Sequence, residues 1–293
     1  MTDHFEAGGM TVTRITDLPR FALALDFLFP GADAGMLAPH RALLAGDHVD
    51  FDTAEVLLGV HSLLVRRDGL VILIDTCVGE CKPRPRRADW HNRKASGYLE
   101  ALAREGLRPE DVDIVLCTHL HADHVGWNTR LVDGRWVPTF PKARYICGAA
   151  EFAHWQAQEA AAPGAANHGA WADSVAPLLE AGCLERLSPG EAAIEGLVIR
   201  DLAGHSPGQI GLEITCAEGG AVFCGDAIHS PVQMLLPDWT SRFCHDPAQA
   251  VATRRALLSR AADLGLMLFP GHFRGALGAR VTRADEGFVP DWL

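Results

Sequence analysis

The run Thr118-His119-Leu120-His121-Ala122-Asp123-His124 constrains this chain more than any other segment. It follows directly on Val112-Asp113-Ile114-Val115-Leu116-Cys117, an apolar run that reads as a buried strand. Three imidazoles and a carboxylate therefore leave the end of one strand together. Polar groups buried in such number need a partner, because burial without one is costly. Neutral imidazole nitrogen and carboxylate oxygen are the donors that borderline divalent metals prefer. A chance set of surface histidines would not gather at a strand end.

Four further segments complete the pattern. They are Ile72-Leu73-Ile74-Asp75-Thr76, Ala203-Gly204-His205-Ser206-Pro207-Gly208, Phe223-Cys224-Gly225-Asp226 and Leu268-Phe269-Pro270-Gly271-His272. Together with the H-x-H-x-D-H run, and in this order, they resemble the metallo-β-lactamase superfamily over nearly the whole chain. Cys77 stands where that family usually has a glycine. The resemblance implies an α/β fold, an αββα sandwich of two mixed β-sheets flanked by helices. It also implies that His119, His121 and His205 hold one metal, that Asp123, His124 and His272 hold a second, and that Asp226 bridges both with a water or hydroxide. Zinc suits this donor set best, with manganese, cobalt and iron as alternatives. Two cations flanking one water make a nucleophile at neutral pH and polarise a carbonyl or phosphoryl oxygen. In the same family Asp123 additionally orients the nucleophile, and Asp75 supports the site through loop backbone or a ligand histidine.

The branches of the family differ at positions that can be read here. True β-lactamases usually lack the bridging aspartate, whereas Asp226 is present. Thioester hydrolases of the glyoxalase II type carry a long helical extension after the last histidine, and only 21 residues follow His272. Oxygen-reducing relatives replace a first-motif histidine with glutamate and add a flavin domain; neither change is seen. Three residues beyond Asp226 stands His229, where the best-known acyl-homoserine lactonases place a tyrosine that contacts the lactone carbonyl. Histidine there, followed by Val232-Gln233, resembles the branch of methyl-parathion hydrolase-like phosphotriesterases and broad-range lactonases. His229 is a candidate catalytic residue that donates to a carbonyl or leaving-group oxygen; the alternative is a histidine that orients a ligand. The expected activity is hydrolysis of lactones or small esters. Organophosphate triester hydrolysis is the alternative within the fold, and a non-catalytic metal-dependent binding or sensor protein the alternative outside it.

Bulk properties set limits on partners. The formal charge is −11, from 37 acidic against 26 basic residues. Phosphate-backbone binding needs net basic surface, so a nucleic-acid partner is not expected. Hydrophobic content of 48% with 22% charged residues describes a globular protein with a sizeable core, read here as one domain over 1–293. The N-terminus shows no basic region followed by an apolar core, and Phe21–Pro30 is too short to span a bilayer. A cytoplasmic enzyme acting on a small-molecule substrate is expected, without a membrane partner; a homodimer is implied by the resemblance alone. Eight cysteines at 77, 81, 117, 147, 183, 216, 224 and 244 read as free thiols, mostly small core residues.

Periodicity gives the remaining elements. Strands are expected at Val56–Val65 and Leu70–Ile74 around an Arg67-Asp68-Gly69 turn, at Ala143–Cys147, Ile194–Asp201, Gln209–Thr215 and Ala221–Cys224, with Leu266–Phe269 as the last. Helices are expected over Ala88–Glu105, Ala149–Gln158, Ser174–Ala181 and Pro247–Leu264, the last capped by Asp246 and Gly265. Glu159–Gly169 reads as a surface loop or lid. Lys82-Pro83-Arg84-Pro85-Arg86-Arg87 reads as a solvated loop, or else as a cleft rim that attracts anions. Trp127 walls the site or packs in the core, and Phe21, Phe27 and Phe29 line a pocket, form a dimer contact or cover a sheet edge.

Overall fold

A computed structural model describes residues 3–215 and 219–293, so Cys216 lies outside the described residues. The first sheet begins with β1 (His4–Ala7), β2 (Met10–Ala24), β3 (Val49–Asp50), β4 (Glu55–Arg67), β5 (Leu70–Ile74) and β6 (Ile114–Leu116). A separate hairpin of β7 (Thr129–Val132) and β8 (Arg135–Pro138) follows, and β9 (Arg144–Gly148) and β10 (Leu184–Leu187) then close the sheet. Its order is β1-β2-β4-β5-β6-β9-β10, with β3 paired to β4. The second sheet runs in chain order through β11 (Ala192–Ile194), β12 (Leu197–Asp201), β13 (Ile210–Ile214), β14 (Ala221–Gly225), β15 (Met267–Pro270), β16 (Ala279–Arg283) and β17 (Phe288–Trp292).

Side-chain alternation decides how the layers stack. On β5, Ile72 and Ile74 face the second sheet, where Ile199, Leu212, Phe223 and Phe269 meet them. Leu73 between them points the other way, into a layer shared with Tyr98, Leu102 and Phe152. Tyr98 and Leu102 belong to the helix Tyr98–Arg104, and Phe152 to the helix Ala149–Ala161. On the far side Leu257, Leu258 and Ala261 of the helix Pro247–Leu264 pack on Val222, Cys224 and Leu268. Each such buried aliphatic contributes about 1.5–3 kcal/mol. The product is the αββα sandwich of mixed sheets: β4 and β5 are antiparallel, while β5, β6 and β9 are parallel, as are β14 and β15.

The parallel strands place the chemistry. Asp75 follows β5, His119 follows β6, Asp226 follows β14 and His272 follows β15. Carboxyl ends of parallel strands open onto loops whose backbone is not committed to the sheet, so ligand-binding side chains collect there.

Most expected elements form. Asp68 and Gly69 both have positive φ (50° and 80°), as the β4–β5 hairpin turn requires. The helix Pro247–Leu264 starts where Asp246 accepts a hydrogen bond from the Gln249 amide at 3.0 Å, and it stops at Gly265 with φ 64°. Replacing Asp246 with alanine is expected to destabilise the protein by about 1 kcal/mol, read as a lower midpoint in urea with an unchanged slope.

Other expectations fail, among them the single strand over Ile194–Asp201, which is divided between β11 and β12. The helix over Ala88–Glu105 is confined to Tyr98–Arg104. Upstream, tertiary bonds override helical spacing: the Cys81 amide donates to the Arg93 carbonyl, Asn92 donates to Lys82, and Arg93 grips Asp17 at 2.7 Å. β15 is not the last strand, because β16 and β17 follow it. β2 was not expected at all; Pro19 and register shifts between Thr16 and Phe21 interrupt its alternation. Among the described residues no helix is long and apolar enough to cross a membrane.

Candidate metal centre

The segment after β6 is fixed before its histidines are placed. Asp75 accepts hydrogen bonds from the Thr118 amide (2.7 Å), the Thr118 hydroxyl (2.8 Å) and His124 Nδ1 (2.8 Å). The imidazole proton of His124 is thereby held on Nδ1, and Nε2 turns inward. His272 is oriented in the same manner by the Gly59 carbonyl, 2.8 Å from its Nδ1. Acceptors behind the ring are the usual way in which ligating histidines are aimed. Cys77, two residues beyond Asp75, has φ 58°, a backbone region that glycine enters freely, which accounts for the glycine expected there.

Two groups of donors result. His119 Nε2 lies 2.9 Å from His121 Nδ1, and His205 Nε2 lies 3.0 Å from the same atom. Asp123, His124 and His272 form the second group. Asp226 stands between the groups. Its Oδ1 is 3.4 Å from His124 Nε2 and 3.2 Å from His272 Nε2, and its Oδ2 is 3.4 Å from His205 Nε2 and 3.3 Å from His272 Nε2. Donors about 2.0–2.1 Å from a tetrahedral zinc ion are about 3.3 Å apart, so these spacings suit one ion in each group. Of the seven residues singled out as metal-binding, His121, Asp123, His205, Asp226 and His272 line one cavity, as does His229, while His119 and His124 are grouped with them.

Electrostatics favours cations here. Burial holds His119 and His205 well below the usual imidazole range, so both present neutral lone pairs. Burial also opposes charge on His124, yet Asp226, Asp75 and Asp123 outweigh it and raise His124 well above its ordinary value. Burial would raise Asp226, but His272, His124 and His229 pull it well below the carboxylate range. Asp226 Oδ1, His124 Nε2 and His229 Nε2 are buried without hydrogen-bond partners among the described residues. Divalent ions would satisfy these atoms and supply the positive charge the carboxylates call for, so the donor set fits a dinuclear centre.

Several supporting residues carry no sequence signal. Glu151 is fully buried on the helix Ala149–Ala161 and accepts from the Leu120 amide (3.0 Å), Ser206 Oγ (2.6 Å), the Gly208 amide (3.0 Å) and Trp155 Nε1 (2.6 Å). One carboxylate thus ties the His119–His124 loop to the His205 loop. Gly208 is required there, since a Cβ would collide with the backbone at Ala150–Glu151. Asn167, in the stretch expected to be a surface loop or lid, clamps the motif by accepting from the Ala122 amide (2.9 Å) and donating to the Leu120 carbonyl (2.5 Å). An isolated Glu or Asn shows no pattern in one dimension. Asp75 did, and Asp75→Asn is expected to weaken metal affinity by about 10- to 100-fold, measured by competition with a chromogenic chelator.

The donors open onto a cavity of about 360 Å³. Phe21, Leu23, Leu28, Leu58 and Phe243 form its apolar wall, and Arg86, Arg87, Trp90, Asn167 and His168 its other side. Trp127 is not part of it: its ring stacks on Tyr98 at 5.1 Å and its Nε1 donates to Asp17. The basic segment is not a solvated loop either. Lys82 and Arg84 are completely buried. Arg84 makes a bidentate pair with Asp173 (2.6 and 2.8 Å), and Lys82 Nζ donates to Thr129 Oγ1 at 2.6 Å beneath the Trp136 ring. Burial lowers the Lys82 ammonium to about 7 despite Asp173. Only Arg86 and Arg87 of this run reach the cavity, which agrees with the cleft-rim alternative.

The sequence profile of the metallo-beta-lactamase superfamily matches residues 56–272, most of the chain. The chain belongs to the metallo-beta-lactamase superfamily. Within that family it is a metal-dependent hydrolase. The chain is similar in structure to hydrolase AbOPH of the beta lactamase superfamily (24% identity, TM-score 0.80, 99% of this chain and 96% of that one). It is also similar to AidC, a dizinc quorum-quenching lactonase (20%, TM-score 0.76, 99% and 96%). A third similar structure is a probable metal-dependent hydrolase from Staphylococcus aureus (16%, TM-score 0.76, 99% of both chains). At these identities the likeness is one of fold. No curated protein matches the sequence.

Proposed function

We propose that this superfamily member is a dinuclear zinc hydrolase that opens lactones or cleaves small esters. The observation that carries the reading is the position of Asp226, whose carboxylate lies within 3.4 Å of ring nitrogens from both groups. AidC, named a dizinc lactonase, has this fold over 96% of its length and adds support. His119, His121 and His205 would hold one ion, Asp123, His124 and His272 the other, and Asp226 both. When bound, the ions supply a hydroxide at neutral pH and polarise the carbonyl oxygen. Asp123, partly exposed and with Oδ2 3.8 Å from His272 Nε2, would offer the oxygen not engaged with the ion to the nucleophile's proton and so orient its attack. The wall of Phe21, Leu23, Leu28, Leu58 and Phe243 takes up an apolar acyl part and excludes water from it.

Phosphotriester hydrolysis is the second reading. The aromatic rings of Phe21, Trp90, Trp155 and Phe243 around the cavity favour it, since they suit an aryl leaving group. We read residues 1–293 as one domain acting as a cytoplasmic homodimer, without nucleic-acid or membrane partners. A reducing compartment suits the seven free cysteines among the described residues.

The test is a paired assay of zinc-loaded protein on a medium-chain γ-lactone and a dialkyl aryl phosphate. The lactone is expected to show a kcat/KM at least about tenfold higher, one step of roughly 1.4 kcal/mol in transition-state binding. Activity should vanish on chelation and return with zinc. A faster phosphotriester would favour the second reading. Turnover of neither by the fully loaded protein would contradict both.

A further inference from the structure

The cavity over the proposed metal centre has two unlike sides. One is the apolar wall already described; Arg86, Arg87, Trp90 and His168 belong to the other. That second side holds polar atoms without partners. Trp90 is 5% exposed, and its Nε1, which can only donate, has no hydrogen-bond partner among the described residues. His168 Nδ1 is likewise buried and unpartnered. The two rings are in contact, with centroids 5.6 Å apart, so one small group can reach both. Orphaned buried polar atoms are rare in folded proteins, and a ligand that satisfies them is one cause. His168 is also held in place. Its backbone is left-handed (φ 54°, ψ 21°), its carbonyl accepts from Arg84 at 3.1 Å, and the adjacent Asn167 clamps the metal motif. Residues other than glycine keep such a backbone where surrounding contacts impose it.

Charge on this side is not balanced. Arg84 is paired with Asp173 and Arg87 with Asp89. Arg86 donates to the Ala165 carbonyl at 3.1 Å and has no acidic partner among the described residues. After burial, Arg86 is the strongest influence holding His168 below the usual imidazole range, ahead of Arg84. One uncompensated cation matches a monoanion, whereas a phosphate dianion would call for two.

We propose that the substrate carries a carboxylate away from the bond that is cut, and that Arg86, Trp90 and His168 bind it. Trp90 Nε1 and the His168 ring donate to its oxygens, and Arg86 balances its charge. The apolar wall takes the hydrocarbon part of the same molecule. The inference rests on the hydrolase reading for the reaction, but not for the carboxylate site.

The test pairs γ-carboxy-γ-butyrolactone with its neutral carboxamide on zinc-loaded wild type, Arg86→Gln and His168→Asn; asparagine tolerates the left-handed backbone. Wild type is expected to favour the carboxylate in kcat/KM by about fivefold, a modest figure because Arg86 is exposed and screened. The preference should shrink as salt is raised. In each variant the ratio should fall to about one, through KM rather than kcat. A wild-type ratio near one would overturn the inference. So would a preference that both variants retain, the result expected if the carboxylate bound the ions instead. Binding is read separately by NMR titration of the same proteins with tetrahydrofuran-2-carboxylate, which cannot be hydrolysed. Its Kd should rise about fivefold in each variant; equal values would overturn the inference. Wild type that turns over neither lactone would contradict lactone opening, while the titration still decides the carboxylate site.

Discussion

Asp226→Ala is expected to lower kcat/KM by at least about 10³ and to leave fewer than two ions bound per chain. Among the described residues, Asp226 is the carboxylate that lies between the two groups of donors. Oδ1 faces His124 and His272, while Oδ2 faces His205, His229 and His272. Removing the carboxylate removes one donor from each ion and the negative charge that lies between them. The surrounding imidazoles are buried and cannot recruit bulk water as a full replacement. Asp226→Asn separates the two effects. It keeps one oxygen donor and the shape but loses the charge, so it should retain one ion more firmly than the alanine variant. Metal content by plasma mass spectrometry, measured beside the rate on the lactone, reads both. An Asp226→Asn protein with two tight ions and full activity would contradict the bridging role.

The second large effect lies outside the metal centre. Asp173→Asn is expected to cost about 3–5 kcal/mol, because it leaves a buried guanidinium uncompensated. Arg84 is fully buried, and its bidentate bonds to Asp173 are its main ionic contacts. Lys82, 3.7 Å from the same carboxylate, loses part of its support as well. At roughly 2 °C per kcal/mol for a chain of this size, the melting temperature should fall by about 6–10 °C. The pair also ties the segment that carries Arg86, Arg87 and Trp90 to the one that carries His168, whose carbonyl accepts from Arg84 at 3.1 Å. KM should therefore rise more than kcat falls. The double variant Arg84→Met, Asp173→Leu, which removes both charges, should recover part of the lost stability. A single variant as stable as wild type would show the pair to be dispensable.

The metal donors were legible because they are ordered motifs on strand ends. His119, His121, Asp123 and His124 lie within one turn of chain, and His205, Asp226 and His272 each follow an apolar strand. The sandwich was legible for a related reason: β5, β6 and β14 are short, strongly apolar and bounded by turn residues. The loops were less legible, because tertiary contacts decide them. Lys82 and Arg84 carry the composition of a solvated loop, and distant partners, chiefly Asp173, 89 residues beyond Arg84, make their burial tolerable. Glu151 acts through amides and a hydroxyl from two other segments, which no local pattern announces. β2 and β17 were hidden by prolines within their runs (Pro19 and Pro290), which lower strand expectation although both sit near sheet edges. His229 was noticed by its position. Its orientation depends on Gln233, a contact that the sequence pattern does not announce.

The most direct test is anomalous diffraction from crystals of zinc-loaded protein, collected on both sides of the zinc edge. Two peaks per chain are expected, one within bonding distance of His119, His121, His205 and Asp226 Oδ2, the other of Asp123, His124, His272 and Asp226 Oδ1. No peak, or a lone peak with Asp226 turned away from it, would contradict the dinuclear centre on which the proposed hydrolase activity rests.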